Sequence, residues 1–265
     1  MKRKELAKYA ARESMREIMQ TVLGILDADD GKSSEEKKKA TISYLKSLIS
    51  EIQNNAPAAK GSTKELFWSF GEIECMDHDL ILRAVEEGDR SDYLRLKREY
   101  ALIQSVLQEE TICNRLWNEH KGSKTLNCSI IKDGNYIGYC GINDITQDPW
   151  EIAIELQPEW TNKGIGHLAI TVLLDAIHNR LGVTEYKVRI EPANLPSQKL
   201  FEKLGAKPDG IAEWLLHDPQ AMKRCEEANE ELLDANMIAA AEKFSVEPQK
   251  LLSHVLVYRL QWKAL

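Results

Sequence analysis

The sequence predicts an α/β protein with a mixed, mostly antiparallel sheet, one central parallel strand pair, flanking helices and an N-terminal helical hairpin. Three observations predict it. Two apolar runs, Leu126 to Ile131 and Tyr136 to Ile142, are joined by Lys132-Asp133-Gly134-Asn135, and Asp-Gly between apolar runs marks a tight antiparallel hairpin. Alternation over Trp150 to Leu156, helical spacing over Gly164 to Leu181, and alternation again at Tyr186, Val188 and Ile190 make a βαβ unit, whose long crossover sets its strands parallel. Helical periodicity dominates the N-terminal segment.

Residues 4 to 27 place Leu6, Met15, Ile18, Met19, Val22, Ile25 and Leu26 on a helical stripe that ends at Asp27-Ala28-Asp29-Asp30-Gly31. A second helix begins at Ser33 or Ser34, with Glu36 placed for a capping box, and carries Ile42, Leu45, Leu48, Ile49 and Ile52 on one face. Asn54 to Ser62 is small, polar and broken by Pro57 and Gly61, a linker that sets a helical appendage at 1–64 apart from a main domain at 65–265. The apolar stripes of the hairpin need a cover: each other, the main domain, or a second copy of the chain in a homodimer. Beyond the linker come a short strand around His78 to Ala84, an acidic turn at Glu86-Glu87-Gly88-Asp89, and helical patterning from Ser91 to Trp117. The hairpin and the βαβ unit follow, with Gly182 where a left-handed helix cap belongs. A short helix from Pro196 to Leu204 stops at Gly205, a helical insert spans about 218–243, and a last strand runs from His254 to Leu260.

The 265 residues, 43% hydrophobic and 29% charged, suffice to bury a full core and exclude disorder throughout. No apolar run reaches the ~18 residues of a membrane span, and Met1-Lys2-Arg3-Lys4 leads into Glu5 rather than an apolar signal core, so the expected location is cytoplasmic. Five cysteines form no CxxC, which predicts reduced thiols. The six histidines show no ligand spacing with carboxylates, which predicts no metal. Net charge is -7, split as +3 for residues 1–60 and -10 for the remainder. A body of that sign repels nucleic acid and attracts cations such as amines.

Between the strand of 150–156 and the helix after it lies Gln157-Pro158-Glu159-Trp160-Thr161-Asn162-Lys163-Gly164-Ile165-Gly166-His167. A strand, a glycine turn and a helix start form an anion site: the first helical amides are free and the dipole favours negative charge. The G-x-G-x-x-G of a dinucleotide fold and the Walker loop are both missing. Further on runs Arg189-Ile190-Glu191-Pro192-Ala193-Asn194-Leu195-Pro196-Ser197-Gln198-Lys199-Leu200-Phe201-Glu202-Lys203-Leu204-Gly205-Ala206. With this second half in family order, the region from His78 to the end resembles the GNAT superfamily of N-acetyltransferases. Asp-Leu-Ile-Leu-Arg-Ala at 79–84 and Ile-Glu-Leu-Gln-Pro-Glu-Trp at 154–160 resemble most the branch that acetylates ribosomal-protein N-termini.

The resemblance implies that acetyl-CoA lies where the strands of 150–156 and 186–191 splay apart. It implies that main-chain groups near Leu156 hold the pantetheine arm. Amides of Asn162, Lys163, Gly164, Ile165, Gly166, His167 and Leu168 would hold the pyrophosphate, and Asn194 and Phe201 with the short helix would flank the thiol end. The implied reaction is direct attack of a primary amine on the thioester. The acceptor would be a protein N-terminus or lysine, or a small polyamine or aminoglycoside. Such a reaction needs a base for the ammonium, a donor for the developing oxyanion, and a proton for the departing sulfur. Period-two alternation puts Glu151 and Glu155 on one strand face as candidate bases, unless they are ordinary solvated carboxylates. Ser197 matches a serine that some branch members use as thiol partner. Two positions depart from the family: Phe201 stands where many relatives carry a tyrosine acid, and Thr161 where Gln or Arg is usual. These departures sustain an alternative, a non-catalytic acyl-CoA-binding or protein-interaction module. Residues 213–243 hold eight acids against three bases, either a wall that selects polycations or one solvated helix face.

Overall fold

The computed structural model describes residues 22–28, 31–55, 62–75, 78–101, 104–214 and 217–263. The chain divides into two units, Met1–Lys60 and Gly61–Leu265. In the first, residues 22–27 are helical and α1 (Ser34–Asn55) follows. The capping box sets its start: the Glu36 amide donates to Ser33 Oγ, and the Ser33 amide donates back to the Glu36 carboxylate at 2.7 Å. Ile42 and Leu45 of the apolar stripe are exposed. Leu6, Met15, Ile18 and Met19, with linker residues 56–61, lie outside the described residues.

In the second unit eight strands form one sheet, in the order β1 (Ile73–Cys75), β2 (Leu80–Ala84), β3 (Leu126–Lys132), β4 (Asn135–Ile142), β5 (Trp150–Leu156), β6 (Glu185–Ile190), β8 (His254–Gln261), β7 (Lys207–Glu213). Every neighbouring pair is antiparallel except β5 and β6, which are parallel. This is the mixed, mostly antiparallel α/β fold that the hairpin and the βαβ unit predict. The helices are α2 (Thr63–Ser69), α3 (Arg90–Glu99), α4 (Glu110–His120), α5 (Ile165–Leu181), α6 (Leu195–Lys203), α7 (Pro219–Ala228) and α8 (Ala235–Phe244).

Four details differ from the sequence reading. The helical span of 91–117 is two helices, because α3 stops at Glu99 and a 3-10 turn, Gln104–Gln108, precedes α4. The insert is also two helices, each started by an aspartate whose side chain accepts a main-chain amide: Asp218 from Ala221, and Asp234 from Met237. Helix α2 and strand β1 were not expected. Nor was β7, whose Lys207-Pro208-Asp209-Gly210 start reads as a turn; it pairs with β8 across a register shift between Pro208 and Ile211, at the sheet edge where proline is tolerated.

Two apolar clusters hold this unit. One lies under α5, whose Ile165, Ala169, Ile170, Leu173, Leu174 and Ile177 are buried against Ile137, Cys140, Ile142 and Ile152. Each fully buried Leu or Ile there contributes ~1.5–3 kcal/mol relative to exposure. The other joins α3 and α4 to the sheet through Tyr93, Leu94, Leu96, Cys113, Trp117, Tyr136 and Tyr139. Among the described residues no helix is long and apolar enough to cross a membrane, and no three His, Cys, Asp or Glu side chains come together as metal ligands would.

Candidate active site

The turn between β5 and α5 is shaped by two left-handed residues. Asn162 has φ 58° and Gly164, the N-cap of α5, has φ 78°. At Gly164 a side chain would meet open space, so glycine is required by the backbone angle alone. Gly166 is different: it packs toward Ile154, Leu156 and Leu200, where an added Cβ would make ordinary contacts of 3.4–3.7 Å. The Leu168 amide, expected among the anion donors, is spent on the Gly164 carbonyl at 3.1 Å. The amides of Ile165, Gly166 and His167 remain as the free first turn of the helix. Lys163 adds a cation whose Nζ lies 5.2 Å from the centre of the Trp160 ring.

Directly before this turn, β5 loses one neighbour. Its parallel pairing with β6 consists of Trp150 opposite Tyr186 and Glu151 opposite Lys187, and ends there. On the other edge, pairing with β4 continues to Leu156, and the Gln157 amide donates to Ile137 O at 2.9 Å. Glu151 O accepts from Asn143, so the odd-numbered residues of β5 bond to β4 and the even-numbered Ile154 and Leu156 turn their main-chain groups into the gap that β6 has left. Tyr100, the C-cap residue of α3, reaches this gap and donates from Oη to Leu156 O at 2.8 Å.

Strand β4 carries a bulge opposite the end of β5. Ile130 pairs with Gly138 and Ile131 with Tyr136, which leaves Ile137 as the extra residue. The bulge breaks the two-residue alternation: Tyr136 and Tyr139 both face α3 and α4, while Ile137 and Cys140 both face α5. Gly138, at φ 154°, approaches β5 so closely that a Cβ would sit 2.2 Å from Glu155 O.

Comparison with known proteins covers the segment that holds this turn and both strands of the parallel pair. Residues 79–207 match the acetyltransferase (GNAT) domain family. The chain carries a GNAT acetyltransferase domain. A Bacillus subtilis (strain 168) protein named as a ribosomal protein bS18-alanine N-acetyltransferase is 28% identical over 31% of this chain and 54% of its own length. The human alpha/beta-tubulin-N-acetyltransferase 9 is 28% identical over 43% of this chain and 56% of its own length. The chain thus spans about half the length of the curated relatives it matches. Among solved structures, a ribosomal-protein alpha-N-acetyltransferase in complex with coenzyme A superposes with a TM-score of 0.51 at 12% identity, over 73% of this chain and 99% of that one, which supports the fold.

In the GNAT domain the two candidate bases have different surroundings. Glu151 is held by Arg189 of β6, whose Nε donates at 2.9 Å, and by Asn143 at 3.2 Å. Glu155 faces α3: its Oε1 accepts from Lys97 Nζ at 2.6 Å and from Tyr139 Oη at 2.9 Å, while its Oε2 is buried without a partner. Burial, and then the Glu155 charge, push the Tyr139 phenol well above its ordinary value, so it remains a donor. His120 stacks on Tyr93 with ring centres 4.0 Å apart and contacts Asn127 through Nδ1 at 3.1 Å. Burial, aided by the charges of Lys97 and Lys64, pushes His120 down to about 3, so the ring is neutral near pH 7. Beneath them Asp89 accepts from both Arg83 terminal nitrogens (2.8 and 2.6 Å), the Glu86 amide (2.9 Å) and Ser129 Oγ (2.7 Å).

The remaining candidates belong to α6 and its N-cap. Asn194 is its N-cap, with Oδ1 accepting the Ser197 amide at 3.1 Å; that side chain is engaged in capping, and the half-buried Ser197 keeps its hydroxyl out of the cap. Phe201 is 1% exposed and belongs to the core under α5, which leaves it no surface to offer a ligand. Sequence reasoning missed Lys97, Tyr100 and Tyr139. An isolated glycine inside a strand, Gly138, was the available signal for the bulge that aims Tyr139; nothing local signalled Lys97 or Tyr100.

Proposed function

We propose that this chain transfers the acetyl group of acetyl-CoA to a primary amine by direct attack, in the cytoplasm, where its five free cysteines would stay reduced. The observation that carries the reading is the parting of β5 from β6 in front of the free amides of α5. Acetyl-CoA would supply the activated thioester. Ile154 and Leu156 would hydrogen-bond the pantetheine arm as a missing strand would, and Ile165, Gly166, His167 and Lys163 would hold the pyrophosphate. Glu155, with a free Oε2, would take the proton of the incoming ammonium. Glu151, tied to Arg189, would favour the approach of a cation without accepting its proton. Ser197 would return a proton to the sulfur.

Both curated relatives are named for acetylation of proteins, which ranks a protein N-terminus or lysine first as acceptor. The acidic balance of the second unit ranks a polyamine or aminoglycoside second. The pairing of Glu155 with Lys97 favours one other reading, a domain that binds acyl-CoA without turnover. The 1–64 appendage is proposed as a dimerising hairpin, which identical sedimentation of the full chain and a chain lacking residues 1–62 would refute.

The decisive experiment is a calorimetric titration with acetyl-CoA, beside CoA and NADH. CoA-specific binding is the expected result and justifies a screen of amines by thiol release. Absence of binding refutes the reading, and binding without thiol release for any amine selects the non-catalytic domain.

A further inference from the structure

An ammonium already stands where the proposed reaction needs one. Lys97 Nζ lies 2.6 Å from Glu155 Oε1, Tyr139 Oη donates to that same oxygen at 2.9 Å, and the second oxygen of the carboxylate is buried and unpartnered. The helix bearing Lys97 also delivers Tyr100, less than one turn later, to Leu156 O at 2.8 Å. Both side chains therefore meet β5 in the segment that β6 has left, at the level of the main-chain groups assigned above to the acyl arm. The Lys97 side chain is 24% exposed, too buried to be a freely solvated surface lysine.

We propose that Lys97 is itself an acetyl acceptor, modified within its own chain from acetyl-CoA; the inference rests on the acetyl-transfer reading of this cleft. Glu155 takes one proton from the Lys97 ammonium. The Nζ lone pair attacks the thioester carbonyl carbon, the C–N bond forms and the C–S bond breaks. The sulfur leaves as the thiolate and takes up the proton that Glu155 removed, while the second proton of the nitrogen passes to solvent. One acetyl-CoA and one ammonium thus give one amide, one CoA thiol and one proton. Because base and nucleophile are held together by the fold, the step needs acetyl-CoA but no encounter with a second protein molecule. The product carries no charge on Nζ, so Glu155 loses its partner and is open to an ammonium from outside.

The test incubates the full chain with acetyl-CoA and no added amine, followed by intact mass and peptide mapping. The expected result is one acetyl group at Lys97, gained at a rate independent of protein concentration. Lys97→Arg, which keeps the ion pair, should abolish it, and Glu155→Gln should slow it by ~100-fold at unchanged acetyl-CoA affinity. Acetyl groups spread over exposed lysines such as Lys38 and Lys39, or a rate at Lys97 that rises with protein concentration, overturns the proposal. Acetyl-CoA binding in the calorimeter with Lys97 unmodified overturns it while the acetyl-transfer reading stands; no binding overturns both.

Discussion

Replacing Gly138 with alanine should separate β4 from β5 at the candidate site. The new Cβ would lie 2.2 Å from Glu155 O and 2.9 Å from Leu156 Cα, both main-chain atoms that cannot rotate away. Carbon–oxygen contacts settle near ~3.3 Å, so the strands must part by about 1 Å. Overpacking of this kind costs ~1–3 kcal/mol, and φ 154° adds strain for any residue with a Cβ, giving about 3 kcal/mol in all. The β4–β5 ladder next to Glu155 and Leu156 takes up the shift, so the carboxylate proposed as base moves relative to the gap; ~100-fold of turnover is the expected loss. Gly164→Ala is the matched control, since it meets nothing within 4 Å and pays only for φ 78°, ~1–2 kcal/mol. Urea unfolding of the two variants, with hydrogen exchange at the Gln157 amide, measures the difference. A Gly138→Ala cost within ~0.5 kcal/mol of wild type, or no larger than that of Gly164→Ala, refutes the argument from close approach.

Glu155→Gln should lower turnover by ~100-fold at unchanged acetyl-CoA affinity, whereas Glu151→Gln should act on acceptor KM; thiol release for both variants decides, and full turnover in Glu155→Gln removes it as base. Asp89 is 4% exposed, and Asp89→Asn should cost ~3–5 kcal/mol in chemical unfolding by taking from Arg83 its buried, two-pronged carboxylate partner and leaving only the exposed Glu86 at 3.7 Å. Burial raises the Asp89 pKa, but the hydrogen bonds of Arg83, Glu86 and Ser129 outweigh it and hold the carboxyl below 3.8; its stabilisation is therefore present above that pH and lost on acidification below it, a loss the variant should not show. His120 is depressed from 6.5 to about 3, so the unfolded chain binds the extra proton and stability should fall between those values, by up to ~5 kcal/mol from this group; His120→Gln should flatten that slope in unfolding titrations, and an unchanged slope counts against a buried neutral ring.

What could be read from the sequence was what short-range chemistry dictates. Asp133-Gly134 specifies its hairpin, Gly164 and Gly182 specify the two ends of α5, and Pro196 with Gly205 brackets α6. What could not be read depends on partners far along the chain. Lys97 and Glu155 are 58 residues apart and meet only because α3 crosses the sheet at that place. Helix α3 ends at Glu99 without a glycine or proline to announce it, so one long helix was the natural reading. Pro208 and Gly210 forbid a central strand but not an edge one, and only the strand order shows that β7 lies at the edge. The even spacing of Glu151 and Glu155 held because β5 has no bulge, whereas the same arithmetic on β4 fails at Gly138.

The two faces of the sheet at this point obey different rules. Under α5 the side chains of Ile137, Cys140, Ile142 and Ile152 make an apolar layer of the ordinary kind. On the face toward α3 and α4, four buried polar atoms have no hydrogen-bond partner: His120 Nε2, Asn127 Oδ1, Tyr136 Oη and Glu155 Oε2. Each costs ~1–3 kcal/mol relative to a satisfied group, and an apolar core of the same shape would be more stable. On the α5 side the two partnerless buried atoms among the described residues, Trp68 Nε1 and His178 Nδ1, both belong to helices and not to the sheet. The bulge at Gly138 is the device that turns Tyr136 and Tyr139 to that face together, so that their hydroxyls and the Glu155 carboxylate share one buried layer.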